Sequence, residues 1–264
     1  MDSRQGGFSV LRRGLLCSFS TYSLLPVPGY QYREGDLAYC LATFPLVGFC
    51  LGLFSWLLLF VSRSLGFSAG LFAALNFALQ AVLTGAIHLD GFADAADGIW
   101  SRRDRERMLE IMHDPHIGPM AVIALIALAL MDVAIDAELA ARAPSVWRLG
   151  ISFALLEGLT RTQTAALVLR LPPARKEGMA KSANAVQSPK SEGLVWALFL
   201  VFSLALIFVW GWIACFLPLA LVLASYAFAR YTLAKFSGMT GDLAGYYLCL
   251  LLPLTHLLLL VCLA

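Results

Sequence analysis

Seven of the chain's 17 carboxylates fall between residues 90 and 114, and their spacing is ordered. Asp90, Asp94 and Asp97 recur at i, i+4 and i+7, which puts them on one helix face within an arc of roughly 60°. Glu106, Glu110 and Asp114 recur at i, i+4 and i+8 and make a second stripe, with Asp104 beside it. The short basic stretch from Ile99 to Arg105 joins the two, and Arg102, Arg103, Arg105 and Arg107 lie among the acids. Two such stripes can face each other as a helical hairpin. At that density like charges repel, so cations belong between them. All-oxygen ligands without cysteine favour hard ions, Mg²⁺ first and Mn²⁺ second. Divalent metal with a guanidinium cluster meets the needs of a diphosphate: charge neutralisation and an in-line geometry for attack. That chemistry is metal-dependent phosphoryl transfer, and spacing alone leaves the substrate open.

The elements that hold these residues are set by an unusual composition. Across 264 residues, 60% are hydrophobic and only 14% charged, with mean hydropathy +0.78. A soluble domain usually carries about 25% charged residues, so too little polar surface exists to cover a water-soluble globule. The chain reads as an all-α polytopic membrane protein in the lipid bilayer, forming one domain over 1–264. Its acidic pocket is built from 88–118. Stretches long enough to span, at about 20 apolar residues each, are 38–62, 69–87, 118–139, 148–169, 193–210, 213–230 and 243–263. That makes about seven transmembrane helices, with a tight turn at Gly211-Trp212. Residues 8–25 resemble a signal peptide but end at Pro26-Val27-Pro28 without a small-residue cleavage site, and read as a retained interfacial helix.

With the N-terminus in the cytoplasm, 15 Lys and Arg fall on that side and three (Arg63, Arg142 and Arg148) on the other. This asymmetry sets the orientation and turns the acidic pocket toward the cytoplasm. The net charge of +2 gives no reason to expect nucleic acid as a partner. A homo-oligomer is compatible with the sequence and not required by it. The six cysteines are scattered through apolar stretches and read as buried free thiols.

Other residues carry weaker signals. Glu157 and Arg161 sit at i, i+4 within a span, either as a mutual pair or with Arg161 reaching a phosphate. Asp132, Asp136 and Glu138 read as solvation at the outer end of the third span, and His256 as a packing residue. His88 stands at the start of the acidic stripe as ligand or cap. His113 and His116 flank Asp114. Gly48 and Gly52 suggest close helix packing. The 170–192 loop, with Arg175, Lys176, Lys181 and Lys190, is basic enough to bind a nucleotide. Asp242 follows Thr240-Gly241 at a span entrance.

The run Asp94-x-x-Asp97-Gly98, followed by Glu110-x-x-x-Asp114, is similar to the metal motif of CDP-alcohol phosphotransferases. It departs from that motif at Glu106 and Glu110. A transporter that uses the acids as an ion path would place them near mid-membrane between broken helices, not beside four arginines at an interface. A closer resemblance spans nearly the whole chain. It rests on Leu25-Pro26-Val27-Pro28, on Thr43-Phe44-Pro45-Leu46-Val47-Gly48, and on His88-Leu89-Asp90-Gly91 running on to Asp94-x-x-Asp97-Gly98. Met108-Leu109-Glu110-Ile111-Met112, Asp114, Lys176-Glu177-Gly178 and Thr240-Gly241-Asp242 continue it. On these residues the chain resembles the adenosylcobinamide-GDP ribazoletransferase family, the cobalamin synthases. The resemblance implies a bacterial inner-membrane enzyme that joins adenosylcobinamide-GDP to α-ribazole or its 5′-phosphate, releasing GMP. It further implies Mg²⁺ on Asp94, Asp97 and Glu110 with Asp90 beside them, and Asp114 as the catalytic base. Substrate contacts would come from His88, Arg102, Arg103, Arg105, Arg107, Arg161, Lys176 and Asp242.

Overall fold

The computed structural model describes residues 7–32, 36–175 and 189–263. Lys176 and Lys181 lie outside them. Ten α-helices are found among the described residues: α1 (Gly7–Tyr22), α2 (Leu37–Ser64), α3 (Ala69–Leu83), α4 (Ile87–Trp100), α5 (Arg105–Ile111), α6 (Pro119–Arg142), α7 (Val146–Arg170), α8 (Pro189–Trp210), α9 (Phe216–Phe236) and α10 (Gly241–Cys262). Five helical stretches are long and apolar enough to cross a membrane: most of α2, then α6, α8, α9 with its leading 3₁₀ turn, and α10.

The remaining two expected spans differ from the plain pattern, each for a physical reason. The second breaks after Leu83. Gly85 and Ala86 adopt left-handed backbone, and α4 leaves at 93° to α3 to pack chiefly against α10. The fourth, α7, is a full helix but too polar to face lipid. Ser152, Glu157 and the run from Thr160 to Thr164 are all buried in it. It sits at the centre of the bundle, where neighbouring helices cover every side. The apolar residues of α6, α8 and α9 that point outward, among them Leu130, Leu204 and Leu219, form the surface that lipid covers.

The tightest helix pair is α2 with α7. A Cβ at Gly48 would meet the Glu157 carbonyl oxygen at 2.4 Å, and one at Gly52 the Cα of Ala154 at 2.3 Å. The spacing of these two glycines therefore does what it suggests, letting backbones touch. The turn between α8 and α9 is as short as expected, with Gly211 at φ 79°.

Two expectations need correction. Asp136 is not interfacial: it is 1% exposed and hydrogen-bonded to Asn76 and His256. The six cysteines are free, but not all are buried, because Cys215 at the head of α9 is exposed.

Candidate active site

The helix α4 carries the first acidic stripe, and its opposite side is packed by Phe92, Ala95 and Ala96, all buried. The amphipathic spacing therefore turns the acids one way and the apolar residues into the bundle. Its main partner is α10, and glycine makes the approach close. A Cβ on Gly91 would lie 3.1 Å from the Cα of Asp242, and one on Gly245 3.0 Å from the His88 carbonyl oxygen. Asp242 is thus carried, from about 150 residues away in sequence, into the field of Asp90 and Asp94. Burial first, then the charges of Asp90, Asp242 and Asp97, push the Asp94 carboxyl up to about 6, against the pull of Arg175. Four carboxylates and one nearby guanidinium make this end of the bundle strongly negative.

Asp97 has a second task. Its Oδ2 accepts from the Gly118 N–H at 2.6 Å and its Oδ1 from the Ala121 N–H at 2.8 Å. The sequence at the start of α6, Gly118-Pro119, supplies no capping side chain, so Asp97 caps that helix from α4. Only glycine fits at 118, because a Cβ there would lie 2.6 Å from both Asp97 oxygens.

The second stripe is placed differently. Asp104 caps α5 through the Arg107 N–H, and α5 packs back on α4 through Met108 and Met112, which lie against Gly98. Glu106 and Glu110 face solvent at 73% and 64% exposure, paired with Arg105 and Arg107. Asp114 is 54% exposed and takes bonds from both the backbone N–H and the ring Nδ1 of His116. Those bonds hold its carboxyl below the ordinary value, the backbone one most. Among the described residues, the acids of the two stripes do not bring three donor atoms within 4.8 Å of one another.

The four arginines divide. Arg105 donates to the carbonyls of Phe236 and Ala174, tying α5 to the last residue of α9 and to the loop after α7. That loop is joined to the one before α10 at Pro173 and Met239. Arg107 is held by Glu110. Arg102, in left-handed backbone at the hairpin turn, and Arg103 are exposed. Arg175, not singled out as a site residue from sequence, bridges Asp242 at 3.0 Å and the Leu109 carbonyl at 2.9 Å. Its sequence signals are its place in the basic 170–192 loop and just ahead of Lys176-Glu177-Gly178.

Beside this acidic end opens a cavity of about 330 Å³, lined by His88, Asp90, His113, Arg175, Thr240 and Asp242 among others, with Tyr22 and Phe44 on its apolar side. His88 stacks on Tyr22 and lies against Phe44, and its Nε2 is buried without a partner. Neither Tyr22 nor Phe44 was legible as a site residue, since an aromatic in an apolar stretch looks like core. Arg161 is deeper. It is bound to Glu157 and lies over the Phe44 ring at 5.3 Å, lining a smaller cavity with His88.

An all-α bundle with five helical stretches apolar enough to cross a membrane, and a cavity lined by charged side chains, defines a polytopic membrane protein with a candidate small-molecule site. The family model described as cobalamin-5-phosphate synthase matches residues 14–263. Relatives named adenosylcobinamide-GDP ribazoletransferase include those of Sinorhizobium medicae (35% identical, covering 86% of this chain and 88% of the relative) and Bradyrhizobium diazoefficiens (33%, covering 86% and 85%). That of Clostridium perfringens is 27% identical, covering 95% and 98%. No solved structure matches. The chain belongs to the cobalamin-5-phosphate synthase family and is a transferase of cobalamin biosynthesis, as the resemblance implied.

Proposed function

We propose that the chain joins adenosylcobinamide-GDP to α-ribazole or its 5′-phosphate, with Mg²⁺ at the α4 acids and the cavity facing the cytoplasm of a bacterial cell. The observation that carries this reading is that Asp90 and Asp242 line a 330 Å³ cavity together with Arg175, with Asp94 and Asp97 of the same helix in their electrostatic field. Four neighbouring carboxylates with a single guanidinium among them fit a hard divalent cation, which keeps several of its waters and so does not need all donors in one tight shell. Asp94, Asp97 and Asp90 would hold it, with Glu110 reaching from α5; each Asp97 oxygen keeps a lone pair beyond the one its N–H bond uses. Bound there, Mg²⁺ supplies neutralisation of the diphosphate charge.

The chain's own residues do the rest. The ribose 3′-hydroxyl oxygen of the acceptor attacks the phosphorus nearer the corrinoid, the bond to the GMP oxygen breaks, and Asp114 takes the hydroxyl proton. The bonds from His116 keep Asp114 ionised and oriented at neutral pH. Arg102 and Arg103, exposed at the hairpin turn, steady the departing GMP together with Lys176. Arg105 holds α5 in place, and Arg107 pairs with Glu110 on the same helix. Arg175 and Asp242 shape the mouth, and His88 with Tyr22 and Phe44 forms a wall against which a planar base or ribose packs. Arg161, bound to Glu157 behind Phe44, supports that wall. A cavity of this size admits the reacting groups and leaves the corrinoid outside, at the membrane surface.

The experiment uses membranes carrying the chain, incubated with adenosylcobinamide-GDP or a CDP-alcohol donor, each with and without α-ribazole. Cobalamin product and GMP formed in equal amounts, only with the first donor and only with acceptor, is the expected result; turnover of the CDP donor with lipid overturns it. A single cysteine at Ser101, in a background free of native thiols, tests the facing. Labelling from the cytoplasmic side is expected.

A further inference from the structure

Away from the cavity, Asp132 and Asp136 lie one turn apart on α6, and His256 of α10 meets them inside the bundle. One donor atom from each of the three lies within 4.8 Å of the others, the spread that one ion with bonds near 2.0–2.2 Å can draw together. Asp136 and His256 are 1% and 2% exposed, and His256 Nδ1 sits 2.7 Å from Asp136 Oδ1. Asn76 of α3, also buried, donates to Asp136 Oδ2 at 2.8 Å and so orients that carboxylate. Three buried polar atoms here have no partner: Asp132 Oδ1, Asn76 Oδ1 and His256 Nε2. By the α-helical rise, Asp132 and Asp136 stand roughly 21 and 27 Å along α6 from its Gly118 end, far from Asp97, which caps that end, and Asp132 lines the smaller cavity with His88 and Arg161.

Charge decides what belongs there. The neighbouring Glu157 and Arg161 neutralise each other. Two carboxylates with a protonated His256 leave one net negative charge in a low-dielectric bundle, which either a proton on one carboxyl or a bound cation must offset. Two carboxylates with a neutral imidazole and a divalent cation sum to zero. Imidazole among the donors selects a borderline metal over Mg²⁺ or Ca²⁺, and a hydrogen-bonded outer group such as Asn76 is what such ligand sets carry. We propose that Asp132, Asp136 and His256 form a Zn²⁺-class metal site that pins α6 to α10, and α3 to both through Asn76.

The test uses the full chain in detergent, stripped with a chelator, dialysed against Zn²⁺ and assayed for bound metal by mass spectrometry and for thermal unfolding. One Zn²⁺ per chain is expected in the wild type and in Asp94→Asn/Asp97→Asn, with a raised Tm in both. His256→Gln and Asp136→Asn should lose that equivalent and the Tm response. Asp132→Asn, at the least buried of the three positions, should bind Zn²⁺ at least tenfold more weakly while folding normally. A wild-type chain that retains no Zn²⁺, Zn²⁺ retained in full by His256→Gln, or unchanged affinity in Asp132→Asn overturns the site.

Discussion

The two acidic segments of this chain are neighbours in sequence and alike in spacing, yet the structure treats them differently. Asp90, Asp94 and Asp97 ride on a helix whose other side is buried, so tertiary packing fixes where they point. One of them caps a distant helix, and another is crowded by a carboxylate from α10. Glu106, Glu110 and Asp114 lie on a seven-residue helix and the loop after it, exposed, each beside a local cation or histidine. A charge stripe therefore has its direction fixed by the fold when the face behind it is held. Without that, the same pattern is mostly solvated and its ion pairs are weak.

The sharpest way to break this contrast is at Asp97. Asp97→Ala should lower turnover by about 10³-fold, the scale of losing a fixed charge at a phosphoryl-transfer site. Loss of the α6 cap should also cost about 0.5–2 kcal/mol of stability. Gly118→Ala tests the same contact without removing charge, and should reduce activity nearly as far because its Cβ displaces the carboxylate. If Gly118→Ala is silent, the cap does not hold Asp97 in its working position.

Next in size is Asp114→Asn, expected to slow turnover by about 10²-fold through lost proton transfer, while the Mg²⁺ concentration for half-maximal activity stays put. If that midpoint moves as far as in Asp97→Asn, Asp114 is a metal ligand and the base assignment falls. Use of a chiral phosphorothioate donor should give inversion at phosphorus, as single displacement requires.

Asp94 predicts a pH effect. Its folded value lies above the ordinary one, so its ionised form is disfavoured by burial and by its acidic neighbours and is lost as pH falls through about 6. At limiting Mg²⁺, activity should drop below about pH 6, and saturating Mg²⁺ should move that limb to lower pH because the cation competes with the proton. A limb that ignores Mg²⁺ belongs to another group. The smallest effect is expected at Glu106. Glu106→Gln should stay within about threefold of wild type, as exposed ion pairs are worth little, and a larger loss would mean α5 closes onto α4 in turnover.

What the sequence determined by itself was whatever depends on composition and short-range period. High apolar content required helices in lipid, and i, i+4, i+7 spacing put three aspartates on one face. The i, i+4 pair of Glu157 and Arg161 is local and was legible for that reason, as was the close packing at Gly48 and Gly52. Motif strings spread along the chain were enough to point to the family. Tertiary structure decided the rest. No local period says that Asp242 meets Asp94, that Asp97 caps a helix whose N-cap residue lies 21 residues later, or that Asp136 finds His256 120 residues on. Nor does it say that a helix with seven buried polar positions can be the centre of a membrane bundle. Periodicity states which face is polar; which neighbour that face meets depends on how closely backbones can approach, and here glycines at 91, 118 and 245 set that distance.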